Sequence, residues 1–217
     1  MSTLSDQFGA KPAVLRCGRC GRFVDWEDAH VQVVCTCRPH LDLPPVLVRQ
    51  ATESDRAAAR VLFQQDFGRT QIVAFGEVMD IDQMPALVAL MHQEPSGALA
   101  YRLFGDALHI VALATDPMWQ RSGVGGYLVA EAELLARRFN LDRLVVSTTN
   151  DNLPALYFCQ RRGYRLTDLV PDSVIIHTHQ QTAGFAGIPT RDEIRLEKKL
   201  EARSWTFEAS SSRREDQ

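Results

Sequence analysis

The sequence contains no long apolar run and carries little net charge. None of its 217 residues lies in an uninterrupted apolar stretch near the roughly 18 residues that a membrane-spanning helix requires. The amino terminus, MSTLSDQFGAKPAV, lacks the basic region and apolar core of a secretion signal. We therefore expect a cytoplasmic protein without a membrane segment. The formal charge of −3 argues against a dominant phosphate-binding surface, and so against nucleic acid as a partner.

The five cysteines are an odd number, which does not suit a disulfide framework. Two residues separate Cys17 from Cys20, and one residue separates Cys35 from Cys37. Four thiolates at such spacings suit a tetrahedral ion, so we predict a structural Zn²⁺ site with these four ligands. His40 could replace Cys35 or Cys37. A redox pair and unligated thiols are the other interpretations.

Composition divides the chain into a small module and one larger domain. Residues 14–40 hold four of the cysteines and too few apolar residues for an independent core, so we interpret them as a zinc-ribbon-like module. Residues 41–45 end in consecutive prolines, which favour an extended linker. Residues 46–200 have the patterning of one α/β domain. We expect residues 1–13 and 201–217 to be flexible ends.

Hydrophobic periodicity predicts a mixed sheet with helices on both faces. The predicted strands are 46–50, 86–93, 97–106, 107–115, 143–149, 164–169 and 193–200, and the predicted helices are 52–67, 123–139 and 153–162. Residues 68–83 are ambiguous, and a turn is expected at 94–97. Antiparallel hairpins come first, and alternating strands and helices follow. This order indicates an α/β (α+β) fold whose sheet is mostly antiparallel.

A glycine-rich turn, QRSGVGG at 120–126, separates a predicted strand from a predicted helix. Bare amides at a helix start form an anion site, and phosphate is the expected ligand. A nucleotide-hydrolysing P-loop would close with Gly-Lys-Ser/Thr, whereas Gly126 and Tyr127 stand there. A dinucleotide-binding turn would space its third glycine differently and would place an acid after the next strand, whereas Asp142 precedes that strand. Both alternatives fit poorly.

The turn resembles the Gln/Arg-x-x-Gly-x-Gly/Ala signature of the GNAT superfamily of acetyltransferases. A second stretch, from Asn152 to Tyr164, is similar to the later element of that family, Asn-x-x-Ala-x-x-Phe/Leu-Tyr-x-x-x-Gly-Phe. The resemblance extends over residues 46–200. It implies a GNAT-like fold, acetyl-CoA as co-substrate and transfer of an acetyl group to a primary amine of a small-molecule or protein acceptor. Members of this superfamily are frequently homodimers.

The resemblance also assigns the cofactor site. Amides of the turn would hold the diphosphate, the strand before the turn would pair with the pantetheine arm, and the helix opened by Asn152 would flank the other side. The cofactor-binding residues carried over in this way are Leu113, Ala114, Thr115, Gln120, Arg121, Ser122, Gly123, Val124, Gly125, Gly126, Asn152, Ala155, Phe158 and Cys159.

The residues for proton transfer are less determined. The family's acid tyrosine corresponds to Cys159, whose thiol could donate a proton but has less reach than a phenol. Tyr157 is the nearest tyrosine, but two residues along a helix rotate it by about 200°, toward the opposite face. Glu193 is the preferred candidate base. The other candidates are Glu77, Asp80, Asp82, His109 and Asp192.

Two further features bear on the acceptor and on activity. His177 and His179 would share one face of a strand and could bind a metal or substrate, although such a pair without a third ligand is more often ordinary surface. The loop at 171–190 is long enough to shape acceptor specificity. Because the acid tyrosine is missing, a non-catalytic acyl-CoA-binding protein of the same fold is the alternative to an enzyme.

Overall fold

A seven-stranded sheet forms the centre of the structure, a computed structural model in which residues 46–200 are described. The predicted cysteine module, the linker and both predicted flexible ends lie outside the described residues. The central strands are β1 (Leu47–Gln50), β4 (Ala86–Met91), β5 (Glu94–Phe104), β6 (Ala107–Thr115), β7 (Arg143–Thr149), β8 (Arg165–Val170) and β11 (Glu193–Lys199).

Within residues 46–200, four α-helices and several smaller elements surround this sheet. The helices are α1 (Arg56–Phe67), α2 (Val124–Arg138), α3 (Leu153–Arg161) and α4 (Ser173–Thr178). Two short hairpins pair β2 (Gln71–Ala74) with β3 (Glu77–Asp80), and β9 (Thr182–Ala183) with β10 (Pro189–Thr190). The mixed sheet with helices agrees with the predicted fold class.

The strand order is β1-β4-β5-β6-β7-β11-β8. Within the described residues, β6 and β7 form the one parallel pair of this sheet, and the other neighbours are antiparallel. The helix α2 connects these two parallel strands, as a parallel connection requires a crossover. The carboxyl end of β6 therefore leads directly into the glycine turn and then into α2.

Each face of the sheet buries its own apolar cluster. On one face, α2 places Val124, Leu128, Ala132 and Leu135 against the sheet, and all four are buried. On the other face, α1 contributes Phe63 to a second cluster. The three-and-four spacing of these side chains gives α2 one buried stripe, whereas Phe139, which follows the last turn of the helix, is exposed.

Two local predictions were wrong, and one stretch that the sequence left ambiguous has a regular structure. The turn expected at 94–97 lies at His92 and Gln93, and β5 already begins at Glu94, because a bulge in its pairing with β4 accommodates Pro95. The ambiguous residues 68–83 contain the β2–β3 hairpin. The strand expected around His177 is the short helix α4.

Candidate active site

The strand β6 has a bulge in its pairing with β5, close to the point where its pairing with β7 ends. Tyr101 pairs with Ile110 and Ala100 pairs with Ala112, so Val111 has no opposite residue in β5. The pairing of β6 with β7 also ends at Ile110. Beyond this point the two strands diverge, and the predicted cofactor-binding residues 113–115 lie on the open part of β6.

A short 3-10 turn connects β6 to the glycine turn. The Asp116 carboxylate accepts a 2.8 Å hydrogen bond from the amide of Met118, which fixes the start of this turn. The hydroxyl and the amide of Ser122 both donate to the carbonyl of Trp119. Gln120 follows the 3-10 turn, and its amide donates to the Pro117 carbonyl. The loop is thus held by its own short-range hydrogen bonds.

The glycine turn leaves a row of amides without protein acceptors. Arg121 has φ of 65° and Gly123 has φ of 100°, a conformation that glycine adopts without a steric penalty. Within residues 46–200, the amides of Arg121, Gly123, Val124, Gly125 and Gly126 donate to no protein acceptor. Unpaired amides at the positive end of α2 form a binding site for an anion.

Gly125 allows the first turn of α2 to approach both sides of the cleft. A Cβ atom at Gly125 would lie 3.4 Å from a methyl of Leu113 and 3.5 Å from the ring of Phe158. The turn, the open part of β6 and α3 therefore meet at this point. Residues that the sequence placed in one cofactor site are neighbours in the structure.

The helix α3 begins at a side-chain cap. Asn152 accepts a 3.2 Å hydrogen bond from the amide of Ala155 through its Oδ1 atom. The side-chain oxygen of Asn152 thus stabilises the helix start, and its amide nitrogen is left for other contacts. Ala155, which donates this bond, is half-buried beside it.

Cys159 and Tyr157 lie on different faces of α3. Cys159 is 5% exposed within the core cluster, and burial raises the pKa of its thiol to about 11, an effect that nearby Arg162 opposes. Tyr157 is 56% exposed, and its hydroxyl accepts a 2.8 Å hydrogen bond from Arg161. A thiol with a raised pKa holds its proton at neutral pH, so Cys159 is a weak acid for a departing thiolate.

Glu193, the preferred candidate base, is buried and holds the β2–β3 turn through hydrogen bonds. It is 1% exposed, and its carboxylate accepts 2.9 Å hydrogen bonds from the amides of Phe75 and Gly76 in the β2–β3 turn. The hydroxyls of Ser147 and Ser173 also donate to it, and so does Arg195, at 2.6 Å.

This environment favours the ionised form of Glu193. Burial raises its pKa, but the hydrogen bonds from Arg195, Gly76 and Ser147 outweigh burial, and the pKa lies below the ordinary value. A carboxylate with five donors and a low pKa accepts a proton poorly. The structure therefore gives Glu193 the role of holding the hairpin, which the sequence did not predict.

The remaining base candidates also have partners. Glu77 pairs with Arg102, Asp82 pairs with Arg60, Asp80 caps the turn that contains Asp82, and Asp192 pairs with Arg191 and accepts the amide of Asp172. These ion pairs and hydrogen bonds give the acidic side chains near the cleft a role in stabilising the fold.

His109 is a neutral imidazole. It stacks on Phe75 with ring centroids 4.2 Å apart, and Arg102 lies 3.4 Å from its Nδ1 atom. Burial and the surrounding Arg102, Arg143 and Arg195 lower its pKa to about 4. The side chain thus lies beneath the same β2–β3 turn that Glu193 anchors.

The histidine pair at 177 and 179 does not share a face. His177 lies in α4, where its Nδ1 atom is 2.7 Å from the Ser173 carbonyl oxygen, and His179 is the residue that follows this helix. Residues two apart on a helix point in different directions, so the predicted common face was wrong. Residues 46–200 contain no group of three or more potential metal-ligating side chains, and the four predicted zinc ligands lie outside that range.

Sequence reasoning missed several residues around the cleft. Ser147, Ser173 and Arg195 surround Glu193, and Arg162 lies against Gly126 in the first turn of α2. Their positions depend on which strands and helices meet in the folded chain. No local pattern marks them, since serine and arginine are common at exposed positions.

The parallel strands that diverge beside a helix with bare amides define the class of acetyltransferase that the sequence resembles. The chain belongs to the acetyltransferase (GNAT) family, whose family model matches residues 47–164. It is 31% identical over 144 residues to the uncharacterised protein YxbD of Bacillus subtilis (strain 168), covering 64% of this chain and 89% of the relative.

Solved structures share the fold. A GNAT family acetyltransferase from Elizabethkingia anophelis with acetyl-CoA bound is 22% identical with a TM-score of 0.59, covering 71% of this chain and 98% of the other. A Bacillus subtilis acetyltransferase in complex with CoA is 20% identical with a TM-score of 0.53, covering 73% and 99%. In residues 46–200, no helix is both long and apolar enough to cross a membrane.

Proposed function

We propose that this protein is an N-acetyltransferase that transfers the acetyl group of acetyl-CoA to a primary amine, with both substrates bound at once. The observation that carries the proposal is the row of five unpaired amides from Arg121 to Gly126, placed beside the open part of β6. Membership of the GNAT family supports acyl transfer. The acceptor is an amine-bearing small molecule or protein.

In this proposal, the unpaired amides bind the diphosphate of acetyl-CoA. The pantetheine arm lies along Leu113 to Thr115, because the backbone of this segment is not paired with β7. Phe158 and the first turn of α3 form the opposite side of the cleft, close to Gly125. The cofactor then enters between α2 and α3 and directs its thioester toward the bulge at Val111.

The reaction requires a neutral amine. Its nitrogen attacks the thioester carbon, a carbon–nitrogen bond forms, and the carbon–sulfur bond breaks as CoA departs as a thiolate. A backbone amide on the open part of β6 donates to the carbonyl oxygen as that oxygen gains negative charge. The amine loses one proton to a base or to water, and the thiolate gains one.

The described residues favour positioning over proton transfer as the main source of catalysis. Glu193 is committed to the hairpin, Tyr157 is exposed, and Cys159 holds its proton too firmly to transfer it readily to a thiolate. In our proposal water therefore carries the protons. Slow turnover relative to an enzyme with a placed acid is the expected consequence.

A non-catalytic acyl-CoA-binding protein is the second candidate, and the buried Cys159 at the acid position is the observation that favours it. The two candidates differ in one measurable property. An enzyme consumes acetyl-CoA when an amine is present, whereas a binding protein holds acetyl-CoA without turnover.

The test combines calorimetry with acetyl-CoA consumption over a panel of amines. We expect binding, and turnover with at least one amine. The Gly123→Ala variant should bind more weakly because alanine is strained at the φ of 100° and the amide row would shift. Gly105→Ala, at a φ of 60° in the β5–β6 turn with open space around it, is the matched control and should bind normally. Absence of acetyl-CoA binding by the unaltered protein would refute the proposal.

A further inference from the structure

Arg162 is an arginine whose charged group lies in the groove between α2 and α3. It is the residue that follows α3, and it is half-buried. Its guanidinium lies 3.9 Å from the centroid of the Phe158 ring. One nitrogen of the guanidinium occupies the place where a side chain on Gly126 would begin.

The guanidinium of Arg162 keeps a positive charge in this groove. Among residues 46–200, no carboxylate forms an ion pair with it, and nearby Glu133 is paired with Lys198 at 2.6 Å. Burial lowers the pKa of Arg162, while Cys159, Tyr164 and Glu133 oppose that effect. An arginine keeps its charge at neutral pH, so the groove contains a cation with no directly paired carboxylate among residues 46–200.

The positive charge of Arg162 adds to that at the start of α2, so the groove favours an anion. The Cα–Cβ direction in a helix tilts toward the amino terminus, so a group at the Cβ place of Gly126 lies toward the start of α2. The start of a helix carries partial positive charge, and here five amides add to it without acceptors. Arg162 and the amide row therefore raise the same positive potential.

We propose that Arg162 is a further phosphate-binding residue of the cofactor site, in which its guanidinium contacts a phosphate group of acetyl-CoA beside the amide row. This inference rests on the proposed function. Contact with the Phe158 ring restricts the guanidinium in advance, so less side-chain freedom is lost when its N–H groups donate to phosphate oxygens. Gly126 provides the space that this contact needs.

Coenzyme A offers two kinds of phosphate, the diphosphate and the 3′-phosphate. Calorimetry with CoA and with 3′-dephospho-CoA distinguishes them. If Arg162 holds the 3′-phosphate, the unaltered protein prefers CoA, and Arg162→Leu loses that preference. If it holds the diphosphate, Arg162→Leu weakens both ligands equally. Either result supports a phosphate contact.

The central test is the dissociation constant of acetyl-CoA for the full-length variants. We expect Arg162→Leu to weaken binding by about 10- to 100-fold, as loss of a hydrogen bond to a charged group does. The dissociation constant of Arg162→Lys should lie between those of the unaltered protein and Arg162→Leu, because lysine keeps the charge but not the planar guanidinium. The matched control is Arg165→Leu, an exposed arginine at the start of β8, which should change binding by less than about twofold.

A second variant tests the geometry. In Gly126→Ala the new methyl group would displace the Arg162 guanidinium, so this single change should weaken acetyl-CoA binding. Added to Arg162→Leu, the same change should weaken binding no further. Additive losses would contradict the inference, and so would binding by folded Arg162→Leu within twofold of the unaltered protein. Failure of the unaltered protein to bind acetyl-CoA would instead refute the proposed function.

Discussion

Glu193 connects the central sheet to the β2–β3 hairpin. One carboxylate accepts the amides of both Phe75 and Gly76, whose φ angles of 57° and 73° make a tight left-handed turn. Phenylalanine is rare in this conformation, so the surrounding contacts must hold it there. The Phe75 ring in turn covers His109. One buried acid thus fixes the wall above the sheet face that carries His109 and Ser147.

Replacement of Glu193 by glutamine should destabilise the protein. The amide NH₂ would oppose one of the two backbone N–H groups, and Arg195 would lose a charged acceptor, at a cost of about 1–3 kcal/mol. Urea unfolding measures this change. Asp168→Asn, which removes the exposed partner of Arg195, is the control and should cost less than about 1 kcal/mol.

The same comparison has a predicted pH dependence. Because the pKa of Glu193 is lower in the folded protein, the folded state binds fewer protons, and its contribution is complete above the ordinary pKa of 4.5. This stabilising contribution of Glu193 is lost as the pH falls below that value. The free energies of unfolding of the unaltered protein and of Glu193→Gln should therefore converge in acid. A difference that grows on acidification would show that Glu193 is not held in its ionised form.

Cys159 can be tested by restoring an aromatic hydroxyl. In Cys159→Tyr the phenol extends beyond the thiol and could donate a proton to the departing thiolate, so we expect a higher kcat for the proposed reaction. Cys159→Phe adds similar bulk without the hydroxyl and separates proton donation from the overpacking expected at a buried site. Equal rates for the unaltered and tyrosine proteins at every pH would exclude a missing acid as the cause of slow turnover.

The absence of a side chain at Gly97 allows α2 to approach the sheet closely. A Cβ atom at this position would lie 2.7 Å from Val124 and 3.0 Å from Leu128, both in the first two turns of α2. Such contacts are too short, so the helix or its side chains would have to move. The start of α2 and its free amides therefore depend on the absence of a side chain in β5.

Gly97→Ala should consequently weaken both stability and acetyl-CoA binding. Overpacking of this kind costs about 1–3 kcal/mol, and a displaced α2 moves the amide row away from the open part of β6. Thermal unfolding and calorimetry measure the two effects. Gly68→Ala, at a left-handed position with open space around it, should reduce stability without changing binding. If Gly97→Ala and Gly68→Ala bind acetyl-CoA equally well, Gly97 does not influence the cofactor site.

The elements most accurately predicted are those whose apolar pattern is regular. The ranges 107–115 and 143–149 agree with β6 and β7, and the helix predicted at 153–162 agrees with α3 to one residue. The prediction failed where long-range contacts decide. The Phe75–Gly76 turn depends on Glu193, which is distant in sequence, and VIIHT forms a helix although its β-branched residues favour a strand. The glycine turn was predictable because its conformation is encoded locally.

Residues 46–200 contain both sides of the candidate cofactor cleft. The residues assigned to acetyl-CoA lie between 113 and 162, and they are held by one sheet and the helices α2 and α3. The expected homodimer stays a prediction, which sedimentation of the full chain measures. The zinc-ribbon-like module at 14–40 is also a prediction, from cysteine spacing alone.

Metal content of the full-length protein tests that module. We expect about one zinc per chain, because four thiolates complete a tetrahedral shell. Cys17→Ser with Cys20→Ser should abolish zinc binding, whereas Cys159→Ser, which changes the buried thiol of α3, should leave the zinc content unchanged. Acetyl-CoA affinity should stay within about twofold after zinc removal, since the assigned cofactor contacts lie elsewhere in the chain. Zinc-free protein would contradict the assigned ligands. Loss of cofactor binding with the metal would show that residues 14–40 support the cleft.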